Sequence, residues 1–396
     1  MRVGIFYSGS APEAGGGHTY EQDLLFSFLS VAQESHHDFI LLSKTDMTCV
    51  LGKYPHACLP NRVIRGKPFG RIFRHYFFDG LFFTKLALKV SRLNTAIKDE
   101  KIDMMVFLSP APEAVECPYV VPVWDLQHRL QPWFPEVSNN GVWAGREKYT
   151  REMLGRATYI ITGTSEGRDE ISFFYTIPKD RIRVLPLPTP EYCLGKVQEK
   201  KPEDLQKFGI HGNYLLYPAQ FWSHKNHVMA IHALEILFKE YNLPLSLVFV
   251  GSDAGNLSYV KKTASNHELS EFIYFLGFVS REDLIGLYQN ASALVFPSFF
   301  GPDNIPPLEA FALGCPVIAA DVPGVKEQLG DAALLIDPRI PAELACAVDR
   351  IINNPSLRDI LVEKGCARAH RWTGKDYMRG IFTILDKFET IRACWE

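Results

Sequence analysis

Two loops of this chain combine residue types that can bind a phosphate group. The first, residues 8–18, contains Gly15, Gly16 and Gly17 directly before a predicted helix. Glycines let backbone amides approach an anion closely, and the dipole of the following helix favours negative charge. The second loop, residues 218–227, carries Lys225 before another predicted helix. A cation there opposes the helix dipole unless an anion is nearby, so Lys225 is predicted to neutralise a leaving phosphate. The alternative for the glycine loop is a flexible turn, and the alternative for Lys225 is a solvated lysine.

These loops need elements that bring them to one edge of a sheet. Short apolar runs alternate with amphipathic segments along the whole chain, which is typical of parallel sheets covered by helices. A stretch with the composition of a linker, residues 186–212, separates two such series. The sequence therefore predicts an α/β fold with two doubly wound, Rossmann-like domains that face each other across a cleft. The domains are residues 1–190 and 191–373, and the loops after their strands are expected to line the cleft.

Composition argues against several classes of protein. The 42 Lys and Arg residues against 45 Asp and Glu give a net charge of −3, so a nucleic-acid partner is not expected. The eight cysteines are scattered without metal-ligand spacing, which favours a reducing, cytoplasmic compartment and no metal site. No secretory signal and no run of about 18 apolar residues is visible, so no membrane span is expected.

The segment 297–319, PSFFGPDNIPPLEAFALGCPVIA, resembles the signature region of the retaining glycosyltransferases of family four, the glycogen-synthase-like enzymes with the GT-B fold. Further similarity at Lys225 and Asn226, and at residues 250–252, 276–279 and 321–324, extends the resemblance over nearly the whole chain. It implies that residues 1–190 bind an acceptor and that residues 191–373 bind a nucleotide sugar. It also implies that a helix within residues 374–396 returns to the first domain.

The resemblance implies specific contacts with the donor. Glu309 is expected to accept hydrogen bonds from the ribose hydroxyls, and backbone amides near residues 306–308 are expected to face the diphosphate. A carboxylate in the first turn of a helix is favoured by the dipole and offers the paired acceptors that a vicinal diol needs; the alternative is a residue that only matches the dipole. The expected donor-binding residues are Gly16, Gly17, Gln220, Lys225, Phe278, Val279, Asn304, Ile305, Pro306, Leu308 and Glu309.

The segment departs from the family pattern where a first glutamate usually stands, eight residues before the second. Gly301 occupies that position. Asp303 and Asn304 are predicted to reach the donor sugar hydroxyls instead, or else to form a turn that satisfies its own backbone. Gln220 stands where many relatives have an arginine, so more of the diphosphate charge is expected to fall on Lys225.

A third departure lies in the first domain, where Trp124 occupies a position that is often histidine. Asp125 and His128 are the polar candidates on the same loop, although His128 is also compatible with a packing role. The predicted catalytic residues are therefore Lys225, Asp125, His128 and Asp303.

The resemblance implies metal-independent, retaining transfer of a hexose from a GDP, UDP or dTDP sugar to a glycan or polyprenyl-linked glycan, in surface polysaccharide assembly. A nucleotide-sugar epimerase of the same architecture and a catalytically degenerate nucleotide-sugar-binding module are the alternatives. Residues 61–98 carry nine Lys or Arg residues and one acidic residue, interleaved with aromatic residues. This segment suits an anionic membrane surface, which would make the protein peripheral at the inner face; the alternative is that its aromatic residues pack in the core.

Overall fold

A computed structural model describes residues 1–9, 16–54, 57, 59–64, 91–111, 113, 115–195 and 202–395. Within these ranges the strands form one sheet of seven strands and one of six, and neighbouring strands in both sheets are parallel. The first sheet has the order β3-β2-β1-β4-β5-β6-β7, and the second has the order β10-β9-β8-β11-β12-β13. This confirms the predicted α/β class with two doubly wound domains.

The strands are short and mostly buried on both faces, as covered parallel sheets require. The first sheet contains β1 (Arg2–Tyr7), β2 (Asp38–Ser43), β3 (Asn61–Val63), β4 (Met104–Phe107), β5 (Tyr119–Pro122), β6 (Tyr159–Thr162) and β7 (Ile182–Val184). The second contains β8 (Tyr214–Pro218), β9 (Ser246–Val250), β10 (Ile273–Phe275), β11 (Ala293–Phe296), β12 (Val317–Ala320) and β13 (Ala333–Ile336).

Helices cover both faces of each sheet. In the first half of the chain they are α1 (Gly16–Val31), α2 (Thr48–Leu51), α3 (Arg92–Asp99), α4 (Gln127–Leu130), α5 (Pro135–Ser138), α6 (Val142–Arg156), α7 (Ser165–Tyr175) and α8 (Glu191–Leu194). In the second half they are α9 (His227–Lys239), α10 (Leu257–Asn266), α11 (Arg281–Asn290), α12 (Ile305–Ala312), α13 (Val325–Leu329), α14 (Pro341–Asn353), α15 (Pro355–Ala369) and α16 (Gly374–Arg392). Short 3₁₀ turns are Ala32–Glu34, Lys179–Arg181, Pro202–Phe208, Ser223–Lys225 and Ser270–Phe272.

The strand order reverses beside the first strand of each sheet, between β1 and β4 and between β8 and β11. Such a reversal opens a crevice outside the carboxyl ends of the strands, where ligands of doubly wound sheets bind. Local caps then set the loops there. Thr164, for example, accepts a hydrogen bond from the backbone N of Gly167 at 3.0 Å and so starts α7 directly after β6.

Helix α16 packs against α1 of the first domain. It starts with a capping box between Thr373 and Asp376. The absence of a side chain at Gly374 lets the helix approach Ser27 closely, and the Tyr20 hydroxyl donates to the Tyr377 hydroxyl at 2.8 Å. The last helix of the chain therefore forms part of the first domain's core.

Nothing in the described part of the chain is a helix long and apolar enough to cross a bilayer. The basic, aromatic segment 61–98 lies mostly outside the described residues, which include only 61–64 and 91–98 of it. Within the described part, Arg62 pairs with Asp99 at 2.7 Å and with Glu100 at 3.1 Å. Its charge is thus engaged by the protein itself.

Candidate functional site

A cleft with a cavity of about 340 Å³ separates the two domains. This volume is within the range of small-molecule sites. Residues after the carboxyl ends of β5, β6 and β7 line it from the first domain, and residues after β8 and β11 line it from the second. Among the lining residues are Gly16, Gly17, Tyr20, Trp124, Asp125, Gly163, Gln220, Trp222, His224, Lys225, Gly301, Asp303, Asn304, Ile305, Pro306 and Tyr377.

Lys225 projects into the cleft from the loop after β8. At the end of this loop Asn226 adopts a left-handed backbone conformation (φ 57°). Its side-chain amide donates to the carbonyl oxygens of Pro297 (3.0 Å) and Pro338 (2.7 Å) and so fixes the loop. The Lys225 ammonium lies 3.4 Å from the Asn304 side-chain oxygen and 5.0 Å from the centre of the Phe296 ring. Burial lowers the pKa of Lys225 to about 8. The negative charges of Asp125 and Glu136 in the first domain act in the opposite direction but are outweighed.

Asp303 meets the first domain at Gly163. A Cβ on Gly163 would overlap the Asp303 carboxylate, so the glycine makes this close approach possible. Burial, together with the negative charge of Asp125, raises the pKa of Asp303 to about 7. Asp125 itself accepts hydrogen bonds from Arg146 and from the backbone N of Gln127 (2.9 Å). Two carboxyl groups, one from each domain, therefore line the cleft.

The start of helix α12 offers fewer amide donors than expected. The backbone N of Asn304 already donates to the Gln328 side-chain oxygen at 2.9 Å, and the Asn304 carbonyl accepts from the same side chain at 2.8 Å. Positions 306 and 307 are prolines, which carry no N–H group. Of residues 306–308, only Leu308 therefore has a backbone N–H group. Ile305, the first residue of the helix, has another. Pro306 lines the cleft but cannot donate to a phosphate.

Glu309 lies beneath this helix start and is 5% exposed. Tyr192 donates to its Oε1, and Tyr288 donates to its Oε2 at 2.6 Å. The Arg281 guanidinium stacks 4.4 Å above the Tyr192 ring. Burial raises the pKa of Glu309, although both tyrosine hydroxyls oppose this shift. In this conformation the carboxylate is covered by protein hydroxyls and is not among the residues that line the cavity.

The remaining expected donor residues divide into two groups. Gly16, Gly17 and Gln220 line the cavity, and the Gln220 amide donates to the Ser252 hydroxyl at 3.0 Å. Leu308 is packed in the core, Val279 packs against that core, and Phe278 is 66% exposed. None of these last three residues lines the cavity.

His128 is not at the cleft. It is 1% exposed, and its Nε2 lies 3.0 Å from the Tyr175 hydroxyl and 3.3 Å from Glu147. Since α4 turns this side chain into the interior, the expected catalytic contact is absent from this structure. His224 lines the cavity instead, and its Nδ1 lies 2.5 Å from Glu136 of the first domain.

Sequence reasoning missed His224, together with the cleft-lining aromatic residues Tyr20, Trp222 and Tyr377. Position in the loop that carries Lys225 was a signal for His224 and Trp222. No local signal marked Tyr377, because it reaches the cleft only through the return of α16 to the first domain.

Residues 200–368, which cover most of the second domain, match the family described as glycosyl transferases group 1. The second domain is therefore similar to that family. O-antigen chain mannosyltransferase B of Escherichia coli is 28% identical to this chain over 232 residues, 57% of this chain and 60% of the relative. D-inositol 3-phosphate glycosyltransferase of Frankia alni is 26% identical over 249 residues, 60% of each chain. These two matches each span about three fifths of the length of the relative.

Solved structures resemble this protein over both domains. Sucrose-phosphate synthase from Thermosynechococcus elongatus has a TM-score of 0.74 at 15% identity, over 99% of this chain and 100% of its own. The Anabaena protein HepE in complex with UDP-glucose has a TM-score of 0.67 at 15% identity, over 98% and 100% of the two chains. These similarities confirm the GT-B fold.

Proposed function

We propose that this chain transfers a hexose from a nucleoside-diphosphate sugar to a glycan or polyprenyl-linked glycan acceptor. The carrying observation is the cleft, where Lys225 and Asp303 of the group 1 domain face Asp125 of the first domain. A cation and two carboxyl groups suit the two ends of a sugar phosphate, because the phosphate needs positive charge and the sugar hydroxyls need acceptors.

Lys225 is proposed to stabilise the leaving diphosphate. Its half-buried ammonium, the backbone amide of Ile305 at the start of α12 and the helix dipole would act where negative charge grows in the transition state. A preorganised contact of this kind contributes on the order of 3 kcal/mol. These groups can neutralise the phosphates without a metal ion, so metal-independent transfer is part of the proposal, as is retention of the anomeric configuration.

Asp303 and Asn304 are proposed to contact the donor sugar in place of the glutamate that Gly301 replaces. Both side chains line the cavity, and the Asn304 amide is oriented by its bond to the Gly301 carbonyl at 3.0 Å. Glu309 is proposed to accept the ribose hydroxyls once the Tyr192 hydroxyl has moved aside. Phe278 and Val279 are proposed to border the base after closure of the domains.

The first domain is proposed to bind the acceptor, through the loop that carries Asp125. The names of the relatives, which include O-antigen chain mannosyltransferases, support a role in surface polysaccharide assembly and make mannose a candidate sugar. The basic segment 61–98 supports a peripheral location at the cytoplasmic face of a membrane. GDP, UDP and dTDP donors all belong to the proposal.

A donor panel tests the proposal. The expected result is a higher Tm with one of GDP, UDP or dTDP, and transfer from the matching hexose donor to a polyprenyl-linked acceptor in the presence of EDTA. The Lys225→Met variant should lose transfer, whereas Lys239→Met, a matched change of an exposed lysine on α9, should keep it. Conversion of the donor without acceptor would instead identify an epimerase, and binding without turnover by the unaltered chain would identify a binding module.

A further inference from the structure

A cluster of imidazole and carboxylate groups joins helix α16 to the first domain directly before β2, and none of its residues lines the cleft. His36 and His37 follow the 3₁₀ turn after α1, and their ring centres are 4.2 Å apart. Asp386 lies one turn before Glu389 on α16. Asp386 Oδ1 is 3.2 Å from His37 Nε2 and 3.7 Å from His36 Nδ1.

His37 is the least expected member of this cluster. It is 6% exposed, yet its Nε2 has no hydrogen-bond partner among the described residues, because the nearby Asp386 carboxylate is not aligned for a hydrogen bond. Buried ring nitrogens without a hydrogen bond are uncommon in folded proteins. This nitrogen therefore faces a carboxylate oxygen in an arrangement that hydrogen bonding alone does not explain.

We propose that His36, His37 and Asp386 bind a divalent transition-metal ion, with Zn²⁺ as the ion that fits best. One ligand atom from each residue lies within 4.8 Å of the others. Two ligands on one Zn²⁺, each at about 2.0–2.2 Å, are at most roughly 4.4 Å apart, so small side-chain rotations suffice to close the site. Imidazole nitrogen with one carboxylate suits Zn²⁺, whereas Mg²⁺ and Ca²⁺ prefer oxygen ligands throughout.

The neighbouring Glu389 already has partners, which keeps the proposed ligand set at three. Its carboxylate is 2.8 Å from the Met1 amine and 2.6 Å from His36 Nε2. This second contact orients the His36 ring from behind, because His36 presents its other nitrogen, Nδ1, to Asp386. A carboxylate that holds the far nitrogen of a ligating histidine is a common feature of zinc sites.

The proposed ion would fasten α16 to the first domain. Helix α16 carries Tyr377 to the wall of the cleft, so an ion near its carboxyl end would hold a cleft-lining element from a distance. This role is separate from the proposed glycosyl transfer, and its test needs no donor or acceptor.

A second cluster of similar composition provides the control. His232, Glu235 and His267 lie close together in the second domain. Glu235 there is bound by Lys239 at 2.6 Å and by His267 at 2.8 Å. Lys239 thus occupies the carboxylate that would have to bind the ion, so this group is not proposed as a metal site.

The test uses the untagged full chain after removal of metal by a chelator, because a polyhistidine tag would itself bind zinc. Isothermal titration with ZnCl₂ should show one ion per chain and a higher Tm in its presence. Asp386→Asn, which keeps the shape of the side chain, and His36→Gln should each weaken Zn²⁺ binding at least tenfold. His232→Gln should leave the binding unchanged.

Co²⁺ gives a second readout that does not depend on stability. In the unaltered chain it should produce visible absorption bands of a low-coordinate nitrogen and oxygen site, and Asp386→Asn should remove them. The proposal fails if the unaltered chain binds no Zn²⁺, or if Asp386→Asn and His36→Gln bind it as tightly as the unaltered chain. Loss of binding in His232→Gln alone would assign the ion to the second cluster and also overturn the proposal.

Discussion

Replacement of Tyr192 by phenylalanine should have two effects: it should lower the stability of the ligand-free protein and raise its affinity for the nucleotide donor. The Tyr192 hydroxyl donates to Oε1 of Glu309 and covers a carboxylate that is only 5% exposed. Tyr288 donates to the other oxygen at 2.6 Å and is itself 1% exposed, within the core of the second domain. If Glu309 accepts the donor ribose, the hydroxyl of Tyr192, a residue that is only partly buried, must move aside, and that of the fully buried Tyr288 need not.

The size of the effect follows from the charge on Glu309. A hydrogen bond to a charged group contributes about 1.5–3 kcal/mol to stability. Because the carboxylate keeps its bond from Tyr288, the lower value is the better guide, and Tyr192→Phe should destabilise the ligand-free protein by about 1.5 kcal/mol. The same free energy no longer opposes donor binding, so the affinity for a nucleoside diphosphate should rise roughly tenfold.

Denaturant unfolding and isothermal titration measure the two effects separately. Tyr288→Phe is the matched control, since it should lose stability without a gain in affinity. The gain in Tyr192→Phe should also be smaller for a 2′-deoxynucleoside diphosphate, which lacks the vicinal diol. If Tyr192→Phe weakens donor binding as much as Tyr288→Phe does, Tyr192 stays on Glu309 in the complex and the reasoning is wrong.

Three further changes test the cleft. Lys225→Met should lower kcat by about 10²- to 10³-fold in a donor-turnover assay, and an unchanged kcat would remove its role at the leaving phosphate. In a pH profile, kcat/KM should rise through about pH 7, as the Asp303 carboxyl group ionises, and fall above about pH 8, as Lys225 loses its proton. Asp303→Asn should flatten the acid limb alone; an unaltered limb would assign it to another group. Gly163→Ala should reduce turnover, because its Cβ would overlap Asp303, whereas Gly155→Ala, with no heavy atom within 4 Å, should not; equal activities would contradict this contact.

The fold class was predictable because its signals are local. The apolar strands Met104–Phe107 and Tyr214–Pro218 are recognisable from a few consecutive residues, and the loops after such strands must open at the carboxyl edge of a parallel sheet. This is why Lys225 and Asp125, chosen for their places after predicted strands, both line the cleft.

His128 marks the limit of the same reasoning. It follows a strand as Asp125 does, but a short helix turns it toward Glu147 and Tyr175 in the interior. The expectation of phosphate-binding amides near Pro306 failed for a different reason. Proline has no N–H group to donate, and this could have been read from the sequence. Side-chain direction within a loop depends on packing partners that the loop itself does not specify.

By itself, the sequence determined the alternation of strands and helices, the loops that follow the strands and the residue types those loops carry. Only the tertiary structure decided the partners of each charged group. His224 meets a carboxylate 88 positions away in the chain, and Glu309 meets a hydroxyl 117 positions away. The physical reason is that hydrophobic periodicity acts over a few residues, whereas burial, pKa and hydrogen bonding depend on whichever distant segments the packed domains bring into contact.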